Sequence, residues 1–181
     1  MLALMIDFPF HYAVALVIFI GASITDLLDG KIARARGLVT DFGKFLDPLA
    51  DKMLTTAAFL GFIALDIGVG AEWIAFIVLF REFMVSSIRL VAASSGGKVI
   101  AANIWGKLKT VFQMIAIIFA LTAKQFVELL VLFGVAGETL ALITSICSVA
   151  TTVLLWISAL LCVLSGVIYL LDNKDFINNA K

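Results

Sequence analysis

From Ile146 to Leu171 the chain reads ICSVATTVLLWISALLCVLSGVIYLL, without one charged residue. This run constrains the fold more than any motif does. A helix that crosses a bilayer needs about 20 mostly apolar residues, and it must satisfy its own backbone hydrogen bonds. Comparable runs lie upstream, at Phe10–Leu28, Gly43–Ile67, Trp73–Ala93 and Leu108–Ala123. Of the 181 residues, 63% are hydrophobic and 14% charged, whereas soluble domains average about 45–50% and about 25%. A soluble globular domain is thereby excluded. The expected fold is all-α, a polytopic membrane helix bundle of five spans forming a single domain over residues 1–181.

The segment Gln125–Ser145 is apolar but interrupted by Glu128, Gly134, Gly137 and Glu138. It is expected to extend the fourth helix, turn, and lead into the last. A sixth span is the alternative. Met1–Phe10 lacks Lys and Arg, so no signal peptide is expected there. Cys147 and Cys162 lie in apolar runs and read as small hydrophobes.

The basic residues alternate along the chain. Lys31, Arg34, Arg36, Lys44 and Lys52 follow the first run, none lies between the second and third, and Lys98 and Lys107 follow the third. Lys109 opens the fourth run, only Lys124 follows it, and Lys174 and Lys181 end the chain. By the positive-inside rule the Ile24–Met53 stretch, the 94–107 loop and the tail face the cytoplasm, with the N-terminus outside. Trp73 and His11 fall where interfacial residues are expected. The net charge of zero gives no argument for nucleic acid, and no nucleic-acid partner is expected.

Against this apolar background, Ile24–Met53 (ITDLLDGKIARARGLVTDFGKFLDPLADKM) gathers carboxylates. Asp26 and Asp29 are three apart and share a helix face, and Gly43, Asp47 and Asp51 follow at steps of four. Two helix ends can therefore aim four acids at one point. An ionised Asp at the bilayer centre costs about 2.5–3.5 kcal/mol, less near the interface. Mutual repulsion remains, and hard divalent cations remove it. Carboxylates with substrate phosphates are the usual Mg²⁺ shell, and four acids can hold two ions, Mg²⁺ or alternatively Mn²⁺. Gly30, Ala33, Gly37 and Gly43 leave room for a ligand, and Arg34 can meet a phosphate or a base edge. Asp41 falls off the shared face and reads as a cap. Asp66 and Glu72 read as interfacial.

The spacing D-x2-D-G-x2-A-R-x8-G-x3-D-x3-D, here Asp26, Asp29, Gly30, Ala33, Arg34, Gly43, Asp47 and Asp51, resembles the signature of the CDP-alcohol phosphotransferases. The resemblance implies a membrane enzyme that moves a phosphatidyl or similar group from a CDP-linked donor to an alcohol and releases CMP. It implies metal binding by Asp26, Asp29, Asp47 and Asp51, with Asp51 also the candidate general base. A metal rather than Asp51 activating the hydroxyl is the competing account. The CDP site would comprise Asp26, Gly30, Ala33, Arg34 and Gly43. The segments TDFGKFLDPLADK, REFMVSSIRLVAASSGGKVIAANIWGKLKT and VFQMIAI are similar to those of members that join CDP-diacylglycerol to glycerol 3-phosphate. The family usually has six spans, opening with a helix that carries N-x-L-T-x-x-R. That pattern is not found here, and Met1–Pro9 reads as the tail of such a helix or the loop after it. With that helix added, the N-terminus would lie inside. A homodimer is left open.

A phosphorylated acceptor calls for a second, cationic site. Arg81 and Arg89, two helical turns apart within a span, are intramembrane charges and hence candidates. With Lys107 and Lys109 they make the expected acceptor-phosphate pocket. The competing reading is snorkelling to anionic headgroups. Glu82 can orient one of the arginines or face another helix. Two alternatives for the whole chain stand beside this: another acceptor, such as inositol phosphate, and a cation channel or transporter built on an acidic ring.

Overall fold

The computed structural model describes residues 1–6, 8–36, 41–94 and 104–174, with side-chain surroundings for all of these except 30, 31, 33–51 and 90–94. The described residues form six helices: α1 (Leu2–Met5), α2 (His11–Arg36), α3 (Asp41–Ala64), α4 (Ala71–Ser94), α5 (Ile104–Leu132) and α6 (Glu138–Asp172). They build a membrane helix bundle. His11–Asp29 of α2, all of α5 and all of α6 are long and apolar enough to cross a bilayer, and α3 contributes the shorter apolar stretch Lys52–Ala64. Helix α4 is 24 residues long, about 36 Å at about 1.5 Å per residue, and carries Arg81, Glu82 and Arg89 within its length.

Neighbouring helices follow the order α3–α4–α6–α5–α2, and a lighter α2–α3 contact closes the ring. The core lies inside it. Phe59 and Phe62 of α3 meet edge to face, with ring centroids 6.2 Å apart, and Ile74, Val78, Ile117, Leu121 and Leu155 are buried around them. Small residues are buried among the helices, including Ala75, Ala116, Ala120, Ser158, Ala159 and Ser165. This is how membrane helices pack when hydrophobic burial cannot drive their association. Val17, Trp73, Phe76, Phe80, Val149 and Leu160 point outward, as lipid-facing residues do.

The turns end the helices by hydrogen bonding. At the end of α3, Asp66 is left-handed (φ 51°), Ile67 N–H donates to Phe62 O at 2.8 Å, and Asp66 N–H donates to Ile63 O. These are the two bonds of a Schellman motif, and the apolar contact it requires is met by Ile67 and Phe62, both fully buried. Helix α5 ends in the same way, with Gly134 at φ 78° and Val135 N–H donating to Leu130 O at 3.0 Å. The Gln125–Ser145 segment is thus the end of α5, a turn and the start of α6. On the loop before α4, Trp156 Nε1 of α6 donates to Val69 O at 3.0 Å.

Helix α2 is held at its start from a distance. Ala13 N–H, one of the unsatisfied first-turn donors, donates to Gln125 Oε1 of α5 at 2.7 Å. Gln125 Nε2 in turn donates to Glu128 Oε2 at 3.0 Å. His11 joins the same group, with Nδ1 3.1 Å from Phe8 O and 3.8 Å from Glu128 Oε1.

Candidate functional site

The acidic motif occupies the end of α2 and the beginning of α3. Asp26 and Asp29 lie in the later turns of α2 and are exposed. Gly30, Ala33 and Arg34 follow on the same helix, and Gly43, Asp47 and Asp51 lie in the opening turns of α3. The Arg34, Asp47 and Asp51 side chains lie outside the described residues, so convergence of the four acids is a matter of sequence and backbone. Residues 36 and 41, the facing helix ends, can be no more than about 18 Å apart, five steps of at most about 3.6 Å. Among the described residues no group of three or more His, Cys, Asp or Glu side chains converges. Asp26 and Asp29 supply oxygen donors only, a set suited to a hard cation such as Mg²⁺.

Lys52, the residue after Asp51, leads from the acids into the bundle. Its Nζ donates to Ser86 Oγ of α4. One turn before Ser86, Glu82 receives Lys109 Nζ from α5 and Arg81 Nη1, the latter at 3.3 Å. All three charged groups are largely enclosed, their side chains being 9% (Arg81), 14% (Glu82) and 7% (Lys109) exposed. Charges this deep among helices are tolerable only when they pair. Arg81 also runs against α6, where a Cβ on Gly166 would lie 3.1 Å from Arg81 Cγ. Gly166 therefore makes room for the arginine. Arg81 Nε is buried with no hydrogen-bond partner among the described residues.

Two turns further along α4, exposed Arg89 sets its guanidinium carbon 5.4 Å from the Tyr169 ring centroid, within cation–π range. Lys107 is exposed at the start of α5. Arg81 and Lys109 thus come together around Glu82, Arg89 stands over Tyr169, and Lys107 lies outside this cluster. Lys109 already has an anionic partner. Of the two readings of Glu82, the described contacts are with cations. Sequence reasoning missed the Lys52–Ser86 bond, and it missed Tyr169, whose only signal was a tyrosine near the end of an apolar run, three residues after Gly166.

The sequence profile of the CDP-alcohol phosphatidyltransferases matches residues 1–164. The chain belongs to that family. Among similar proteins, the CDP-diacylglycerol–glycerol-3-phosphate 3-phosphatidyltransferase of Bacillus subtilis (strain 168) is 46% identical over 109 residues, covering 60% of this chain and 55% of that protein. An equally named protein of Rickettsia bellii (strain RML369-C) is 33% identical over 171 residues, covering 94% and 84%. A cardiolipin synthase (CMP-forming) of Oryza sativa subsp. japonica is 37% identical over 119 residues, covering 60% and 36%. The chain spans about half the length of several curated relatives it matches. Membership in the CDP-alcohol phosphatidyltransferase family sets the channel and transporter alternative aside. It also joins the acids and the basic cluster in one matched region, since Asp26 to Lys109 all fall within residues 1–164.

Proposed function

We propose that this chain transfers a phosphatidyl group from CDP-diacylglycerol to sn-glycerol 3-phosphate, giving phosphatidylglycerophosphate and CMP. One observation carries the reading. The residue after Asp51 is tied to the helix that bears a buried cationic cluster, which supports a reading in which a diphosphate site and a second phosphate site would adjoin. The names of the bacterial relatives support the same acceptor.

In this reading Asp26, Asp29, Asp47 and Asp51 would hold two Mg²⁺ ions. When bound, these offset charge on the donor's diphosphate and on departing CMP. Gly30, Ala33, Arg34 and Gly43 would line the CDP moiety together with Asp26. Asp51 would accept the proton of the attacking hydroxyl, with positioning carrying much of the effect because a free Asp is a weak base at neutral pH. Arg81 and Arg89 would orient the acceptor phosphate, with Lys107 at the entrance. Lys109, engaged by Glu82, would act mainly by holding that cluster together. Five spans, with α3 and α4 crossing beside α2, α5 and α6, would set this site at the cytoplasmic face of the cell membrane.

The test is incorporation of labelled acceptor into lipid by purified protein with CDP-diacylglycerol and Mg²⁺. Glycerol 3-phosphate and inositol phosphate are compared in this way, and labelled phosphatidylglycerol by its conversion to a second, separable lipid. Labelled lipid from glycerol 3-phosphate is the expected result. Product from one of the other acceptors alone overturns the acceptor assignment.

A further inference from the structure

The final helix carries a polar group that the reading above does not use. Tyr169 is 2% exposed, yet its hydroxyl has no hydrogen-bond partner among the described residues. Arg81, 8% exposed, is in the same state at Nε. Buried donors are normally satisfied, and each exception calls for a reason. These two belong to one locality. Helices α4 and α6 pack together, Arg81 lies against Gly166, and Tyr169 follows Gly166 by three residues on the same face of α6. Arg89 stands over the Tyr169 ring. The nearby carboxylate, Glu82, already receives Arg81 Nη1 and Lys109 Nζ.

We propose that Tyr169 is part of the acceptor site: its hydroxyl and Arg81 Nε donate to one phosphate group of the acceptor, and its ring holds Arg89 beside them. The inference rests on the proposed function in taking the acceptor to be phosphorylated. It adds the residue that would discriminate for that phosphate. A tetrahedral oxyanion offers several acceptor oxygens at once, so it can accept from both donors while balancing a guanidinium. An uncharged hydroxyl has a single acceptor oxygen and no charge to balance the guanidinium. Tyr169 lies in the last turns of α6, just beyond residues 1–164.

The decisive variant is Tyr169→Phe, which keeps the ring and removes only the hydroxyl. Purified full chain in detergent is assayed for transfer, and for thermal stabilisation by glycerol 3-phosphate, inorganic phosphate and glycerol. Losing a hydrogen bond to a charged group should raise the acceptor KM and the half-saturating phosphate concentration roughly ten- to hundredfold, with kcat and the CDP-diacylglycerol KM within about twofold of wild type. Glycerol should stabilise neither protein. Arg81→Lys keeps the charge without Nε, and combined with Tyr169→Phe it should cost less than the sum of the two. Wild-type affinity of Tyr169→Phe for both glycerol 3-phosphate and phosphate overturns the proposal, as does full additivity. Should the chain bind phosphate through Tyr169 but transfer nothing to glycerol 3-phosphate, the proposed function falls and this assignment stands. Unaltered acceptor KM in an otherwise active Tyr169→Phe enzyme removes the assignment alone.

Discussion

Replacing Glu82 by Gln should destabilise the protein far more than replacing Lys109 by Met, although both changes break the same ion pair. Arg81 and Lys109 bring two positive charges to the single negative charge of Glu82. At the 3.3 Å Arg81–Glu82 separation, the gross attraction is about 5 kcal/mol at an effective dielectric constant of about 20. Burial of the charges consumes much of it. Glu82→Gln leaves two enclosed cations without a counter-charge, and breaking a buried pair in this way costs about 3–5 kcal/mol. Lys109→Met leaves Glu82 and Arg81 as a balanced pair, and the methionine fills much of the lysine's volume. Its cost should stay below about 1.5 kcal/mol. In a protein of this size each kcal/mol shifts the melting temperature by about 2–4 °C, so the expected drops are about 6–20 °C and under about 6 °C. Thermal unfolding of both variants in one detergent at one pH is the assay. Equal drops, or a larger drop for Lys109→Met, would refute the claim that Glu82 neutralises the cluster.

Gln125→Ala removes the acceptor of Ala13 N–H and should cost about 1–2 kcal/mol, seen as a lower melting temperature with unchanged acceptor KM. Gly134 and Gly21 both have open space where a Cβ would go, so backbone conformation alone decides the sign of an alanine substitution. Gly134→Ala, at φ 78°, should destabilise by about 1–2 kcal/mol, whereas Gly21→Ala, within α2, should stabilise by up to about 1 kcal/mol. The same sign for both in paired melting curves would contradict this. Asp47→Asn should abolish transfer while leaving the melting temperature within a few degrees, and wild-type protein stripped by a chelator should regain activity with Mg²⁺. Normal turnover in that variant would remove the metal assignment.

The positions of the long helices were legible because apolar length is a one-dimensional property. Trp73–Ala93 sits within α4 and Ile146–Leu171 within α6. The ends were less legible, because polar residues inside a helix look like interruptions until their partners are known. Gln125 and Glu128 lie well inside α5 and are satisfied by Ala13 and by each other. Glu138 opens α6 in its first turn, where an acid favours the helix dipole. At the site, the acidic spacing is a local pattern on two consecutive helices and can be read directly. The basic cluster is not local: Lys52, Ser86, Glu82 and Lys109 come from three helices, and only packing shows that Glu82 engages Lys109. Tyr169 was invisible for the same reason, since its partner helix lies far away in sequence.

The Gln125–Ala13 bond has a mechanical consequence for α2. It clamps the helix at one end, while the carboxylates sit near the other, about 20 Å away over thirteen residues at about 1.5 Å each. Residues Ile24 to Asp29 are exposed and lean on little of the bundle. Asp26 and Asp29 thus ride far along a lever arm fixed near Ala13, where a small change of tilt at the fixed end is multiplied along the helix.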